Sequence, residues 1–327
     1  MKYLGNKNRL KPFLKNILET IDTSKNKKAL DLFAGTGNVS ELLSHIGFDV
    51  DSVDYLKISM LSTFIKTNTT PIISKEILNS ISNYKLDGFI TNHYSDKVGV
   101  NIFKEEIANY IDGSLYLLNN LKNEIPIDSH YFILSSIIES ADFRSNIMGS
   151  YQSFYKRGWR NQALKEWSID IVKNISNTKN NFYNLNIDDF FLTNKNQYGL
   201  VYADPPYNNR NYSDVFHVLE TIATNYNGKT KGLVNRPING VKPSNFCNKK
   251  NVKCAFDNLF YNVSSITDIF LLSYSSDGII DIDDIINISS KYFLKYEINI
   301  VNYRKFNTNK KNQKNNKVNE YIIKFKK

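Results

Sequence analysis

Cysteine is nearly absent from this chain: two occur in 327 residues, Cys247 and Cys254. Histidine is scarce too, at four, and the cysteine spacing matches no zinc pattern. A zinc-knit or disulfide-knit scaffold is therefore excluded, no metal site is expected, and free thiols in a reducing compartment are. No apolar run approaches the ~20 residues needed to span a bilayer, so no membrane partner is predicted. The polar stretch Asn6 to Asn8 gives no secretory signal, and the expected location is cytoplasmic. Acidic residues fall short of basic ones, 32 against 42, leaving a net charge of +10. That balance suits a polyanionic partner, although an AT-rich coding sequence yields the same Lys- and Asn-rich composition. No internal repeat is present. The 41% hydrophobic content is enough for a core, and the length suits one large domain or two ordinary ones.

What is present is more specific. Tyr198 to Ala203 reads as a short apolar strand, and it runs directly into Asp204-Pro205-Pro206-Tyr207. Consecutive prolines fix φ near −65° and remove two backbone donors. The turn thus offers acceptors, the Asp204 carboxylate and the Pro205 carbonyl. Set against the two N–H donors of an exocyclic base amine, they draw its nitrogen toward tetrahedral geometry and free the lone pair for attack on a methyl group. Tyr207 supplies a flat face for an unstacked base, worth roughly 1–3 kcal/mol. The bland alternative is a strand-ending loop, for which Asp-Pro and Pro-Pro are ordinary punctuation.

A second strand-to-turn unit lies at Lys28 to Gly37, where Asp31-Leu32-Phe33-Ala34-Gly35-Thr36-Gly37 ends in Gly-x-Gly. The spacing predicts a helix from Asn38 to Ile46, stopped at Gly47. Glycines at such a turn let a ligand approach the backbone. The next strand, Asp49 to Val53, ends at Asp54, an acidic residue about 20 positions on and suited to a ribose diol. Ser40 stands where a dinucleotide fingerprint needs its third glycine, and no Lys-Ser/Thr pair makes a P-loop. These absences favour S-adenosyl-L-methionine, which has no pyrophosphate to cradle. Asp31 is a candidate for its methionine amino group, with a helix or turn cap as the alternative.

With the opening Tyr3-Leu4-Gly5-Asn6-Lys7, these segments resemble, in the same order, the Dam-like alpha group of N6-adenine DNA methyltransferases. The resemblance implies an α/β fold: a doubly wound, Rossmann-like, mostly parallel seven-stranded sheet with a reversed final hairpin and an inserted, mainly helical target-recognition domain. Residues 1–55 and 181–327 would form the catalytic domain and residues 56–180 the DNA-binding insertion. It also implies that Tyr3, Lys7, Asp31, Phe33, Gly35, Gly37, Asp54 and Asp204 line the cofactor pocket. Asp204, Pro205, Pro206 and Tyr207 would act on the base. The expected substrate is double-stranded DNA, with the adenine flipped out. The sequence from Asn208 to Ala223 is similar to restriction-associated members that modify CATG, which implies a separately encoded cognate endonuclease. His217 there is a candidate for either packing or chemistry. The sequence departs from the family near the end of the third strand, where the usual acidic residue is either replaced by Asn186 or supplied by Asp188.

Other segments carry weaker readings. Ser150 to Arg160 interleaves aromatics with cations and suits either DNA contact or a solvated helix with inward aromatics. Thr91 to Lys97 reads as a loop, as does the basic stretch Asn227 to Lys253, a second candidate DNA surface. Leu115 to Leu121 and Tyr131 to Ser140 read as helical. Asp268 to Tyr274 reads as a buried strand, and Tyr296 to Phe306 with Tyr321 to Phe325 as a closing hairpin. The basic stretch Asn307 to Lys317 reads as a mobile loop. Rival functions are methylation of cytosine N4 or of an RNA amine, and a DNA-binding module on an inactive methyltransferase fold. A nicotinamide dehydrogenase is disfavoured at Ser40.

Overall fold

The computed structural model describes residues 10–22, 24, 26–176, 178–240, 243–304 and 317–327. The expected loop Asn307 to Lys317 lies almost wholly outside them. The chain forms two compact units. Of the described residues, one takes those within 10–55, 178–211 and 243–327, and the other takes those within 56–176 and 212–240.

The strands, in chain order, are β1 (Lys28–Leu32), β2 (Asp49–Val53), β3 (Asn180–Tyr183), β4 (Leu200–Ala203), β5 (Thr230–Lys231), β6 (Arg236–Pro237), β7 (Ile269–Ser275), β8 (Lys295–Arg304) and β9 (Lys317–Lys326). Seven of them make the sheet of the first unit, in the order β3-β2-β1-β4-β7-β9-β8. Strands β3 through β7 in that order are parallel, and β9 runs antiparallel to both β7 and β8. This is the reversed terminal hairpin that the resemblance implies.

Strand periodicity sorts the core into two faces. Leu30 and Leu32 of β1, Val201 and Ala203 of β4, and Phe270 and Leu272 of β7 point to one face. Phe256, Leu259, Phe260 and Val263 of helix Val252–Ile266 cover it. Ala29, Val50, Leu200, Tyr202 and Leu271 point to the other, under Val39, Leu42 and Leu43 of helix Asn38–Ile46 and Leu14 and Leu18 of helix Lys11–Leu18. Helix Asn38–Ile46 ends as expected at Gly47, whose φ of 102° suits glycine.

The second unit is mainly helical. Its longest helices are Glu105–Asn120, which covers the segment read from Leu115 up to Asn120 and ends one residue short of Leu121, and Ile127–Phe143, which contains Tyr131 to Ser140. The segment from Tyr212 packs here rather than with the sheet. Glu220 of helix His217–Thr224 accepts the backbone N–H groups of Lys57 and Ile58 at 2.9 and 3.1 Å. The Tyr151 N–H donates to the Val215 carbonyl at 3.1 Å. These long-range bonds move residues 212–240 out of the sheet-forming half in which the sequence reading placed them.

Three local expectations change. Thr91 to Lys97 is not a loop, because helix Phe89–Tyr94 runs into it and a 3-10 turn, Asp96–Val98, follows. The helix's first turn is capped by Asp112, whose carboxylate accepts from the N–H groups of Gly88, Ile90 and Thr91. Asn227 to Lys253 is not one open loop: β5 and β6 pair within it, and helix Val252–Ile266 starts at its end. Ser150 to Arg160 forms no helix. Tyr151 is wholly buried there, Lys104 covers the Trp159 ring at 4.1 Å, and Lys156 and Arg157 are exposed.

Candidate active site

The sheet order fixes where a ligand can enter. From β1 the chain winds outward through β2 to β3, then returns to place β4 on the other side of β1. The carboxyl ends of β1 and β4 therefore flank the topological switch point, where open α/β sheets bind ligands. Both motif turns emerge there. Leu32 is in register with Ala203, so Phe33 and Asp204 are the first residues beyond the paired strands. The Asp204 N–H still reaches the Leu32 carbonyl at 3.4 Å.

The β1 turn is tightly wound. Phe33, Gly35 and Gly37 have φ of 63°, 56° and 72°. Glycine takes that region without strain, whereas a residue with a Cβ costs about 1–2 kcal/mol there. The Phe33 ring meets Phe246 edge-on at 5.1 Å. The Ala34 N–H donates to Val53 at 3.1 Å, and Gly37 donates to Ala34 at 2.8 Å. Asp54, just past β2, accepts the Gly35 N–H on Oδ2 at 2.9 Å.

Asp31 lies within β1, in register with Ser52 on one side and Tyr202 on the other. It is therefore no turn cap. It is 1% exposed, and the Ser40 hydroxyl donates to Oδ2 at 2.5 Å. Ser40 Oγ also lies 2.9 Å from Ser52 Oγ. Burial pushes the Asp31 carboxyl up from 3.8 to about 7; the Ser40 bond opposes the rise, and the negative charges of Asp204 and Asp54 add to it. Three carboxylates thus share one electrostatic neighbourhood, which favours a cationic ligand.

On the other side of the switch point, Pro205 and Pro206 are buried and Asp204 and Tyr207 half-buried. Tyr207 packs against the core, and its carbonyl accepts the Ile279 N–H at 2.9 Å. The structure accordingly gathers Asp31, Phe33, Gly35, Gly37, Asp54 and Asp204 to Tyr207. Tyr3 and Lys7 lie outside the described residues. Asn186 is an N-cap whose Oδ1 accepts the Asp189 N–H at 2.9 Å, and Asp188 is exposed in the same first turn. Ser40 was read as a missing glycine; its position is that of the hydrogen-bond partner to Asp31. His217 is in the helical unit, buried, with Nδ1 3.0 Å from the Asp214 carbonyl and Nε2 2.8 Å from the Val234 carbonyl. Burial lowers its pKa. Both contacts are to backbone, which is a packing role.

Comparison with known proteins decides the family. Residues 3–288 match the family described as D12 class N6 adenine-specific DNA methyltransferase. The chain belongs to that family. Among curated relatives, it is 31% identical to modification methylase LlaI of Lactococcus lactis subsp. lactis, covering 100% of this chain and 55% of that protein. It is 34% identical to type II methyltransferase M.FokI of Planomicrobium okeanokoites, covering 99% and 52%. Type II methyltransferase M.NlaIII of Neisseria lactamica is 26% identical, with 98% of each chain covered. The chain thus spans about half the length of LlaI and M.FokI, and nearly the whole of M.NlaIII. No helix among the described residues is long and apolar enough to cross a membrane.

Proposed function

We propose that the chain transfers a methyl group to the exocyclic N6 of a flipped-out adenine in duplex DNA, with S-adenosyl-L-methionine as donor. The carrying observation is the placement of the Asp204–Tyr207 turn and the Phe33–Gly37 turn on the two sides of the switch point between β1 and β4. The membership of the D12 family supports the adenine assignment over cytosine N4 or an RNA amine.

The residues present fit the cofactor. The glycine turn brings backbone rather than side chains to the ligand, and Asp31, Asp54 and Asp204 give a negative setting for a sulfonium and an ammonium group. Asp54 would meet the ribose hydroxyls and Asp31 the methionine amino group. When bound, S-adenosyl-L-methionine supplies an electrophilic methyl. The protein's own part is alignment. Asp204 and the Pro205 carbonyl accept from the amine, Tyr207 stacks on the ring, and the buried prolines hold both acceptors still. Most of the acceleration then comes from orientation and electrostatics. The helical unit and residues 227–253 would hold phosphates and read base edges, with steep salt dependence.

The relatives named as modification methylases support a place in a restriction–modification system; a separately encoded endonuclease, CATG as target and a cytoplasmic setting are part of the same proposal, carried by the resemblance of Asn208 to Ala223. Methyl-labelled cofactor incubated with DNA, followed by nucleoside analysis, tests the reading. Label in 6-methyladenine is expected. Label in 4-methylcytosine overturns the base assignment, and cofactor binding with no label in DNA overturns the enzyme reading.

A further inference from the structure

Strand β8 ends the sheet. It pairs with β9 along all ten of its residues, and among the described residues no strand pairs with its other side. The outer row of backbone N–H and C=O groups on such a strand is a template for a further strand. Folds that keep an edge unpaired shorten it or interrupt it with proline or a bulge. Strand Lys295–Arg304 is long, has neither proline nor glycine, and keeps an unbroken register with β9.

The edge is also apolar at every second position. Tyr296 and Ile298 are in register with Phe325 and Ile323 of β9, which are wholly buried in the core. Tyr296, Ile298 and Ile300 themselves are exposed. Leu294, whose N–H donates to the Lys326 carbonyl at 3.1 Å, is 86% exposed. A contiguous apolar row of this kind marks an interaction surface, unlike apolar residues scattered singly.

The charges between these positions name the occupant. Lys295 is in register with Lys326, and Glu297 with Lys324. Like charges directly opposite each other weaken a strand pair, so Lys295 meets a cation on its β9 side. A second copy of the chain supplies the acid. Turned antiparallel about Tyr296, the same strand sets its Glu297 opposite Lys295 and its Lys295 opposite Glu297. Leu294 then faces Ile298 of the second copy, and Tyr296 faces its counterpart. Opposed residues project to the same face of a sheet, so apolar meets apolar and cation meets acid in a single register. A two-fold pairing of one patch with itself closes at two copies.

We propose that the β8 edge is a self-pairing surface, on which a second copy of this chain adds its own β8 antiparallel about Tyr296 and continues the sheet. The test is the light-scattering mass of the full chain against concentration, without DNA. The mass should climb from 37.8 kDa toward twice that value. Glu297→Lys opposes cations at both crossings and should raise the dissociation constant at least about tenfold. Lys295→Glu should do the same with acids. Both changes in one chain restore opposite charges and should return the constant to within about threefold of wild type. Ile298→Lys, which puts a charge in the apolar row, should abolish the dimer. These positions are exposed, so the changes spare the core. A mass fixed at 37.8 kDa at every concentration overturns the proposal. So does a mass that climbs past two copies, or a dimer that the single changes leave as tight as the wild type. A double change no tighter than the single ones overturns the register about Tyr296.

Discussion

Asp54 Oδ2 accepts the Gly35 N–H at 2.9 Å, so the end of one strand fixes the shape of the glycine turn after its neighbour. The bond does two jobs: it holds a left-handed glycine in place, and it orients a carboxylate at the sheet's ligand-binding edge. Asp54→Asn keeps an oxygen acceptor for Gly35 but removes the charge. Cofactor affinity measured by calorimetry should fall about tenfold, in line with the loss of a charged hydrogen bond. Asp54→Ala should weaken it further, because the turn also loses its tether. Unchanged affinity in both variants would contradict the role given to Asp54.

Asp31 predicts a pH dependence. Its carboxyl is pushed up from 3.8 to about 7 in the folded chain, chiefly by burial. A raised pKa favours the protonated native state. The associated stability is complete below 3.8 and is lost as pH rises through about 7. Relative to Asp31→Asn, the wild type without added cofactor should therefore lose stability across that window. At about 1.4 kcal/mol per pKa unit, the loss is on the order of 4 kcal/mol. Thermal melts at stepped pH check this, and parallel curves for the two proteins would refute it. Added S-adenosyl-L-methionine should raise the wild-type midpoint more at the alkaline end, since its cationic groups favour the ionised carboxylate.

Asp112 predicts a stability effect in the helical unit. It accepts four bonds, from the N–H groups of Gly88, Ile90 and Thr91 and from the Thr91 hydroxyl at 2.7 Å. It is 7% exposed, so its removal leaves buried donors unmet. Asp112→Ala should cost roughly 2–4 kcal/mol in denaturant unfolding. A loss under about 0.5 kcal/mol, the range of ordinary surface changes, would mean the cap is dispensable.

These residues also show what a sequence can and cannot reveal. The strands β1, β2, β4 and β7, the helix Asn38–Ile46 and its Gly47 stop were legible because apolar runs, helical spacing and glycine act locally. The two motif turns were legible for the same reason, since each lies within a few residues of its strand. Helix Phe89–Tyr94 was not, because its cap comes from Asp112, more than twenty positions later. Glu220 was similarly silent. Nothing near it in sequence says that its carboxylate closes the start of helix Lys57–Thr67, or that residues 212–240 leave the sheet unit. Ser40 misled by analogy, since a rule about glycine at that position says nothing of a hydroxyl that serves Asp31.

Single-turnover methyl transfer by Asp204→Ala, run beside the wild type at saturating cofactor and DNA, tests the central claim most directly. Transfer to adenine should fall by at least about a thousandfold, the scale of losing an acceptor that acts in the transition state. DNA affinity measured on the same samples should change less than about threefold, because phosphate contacts supply most of it. Transfer at near wild-type rate with unchanged DNA affinity would contradict the assignment of Asp204 to the amine.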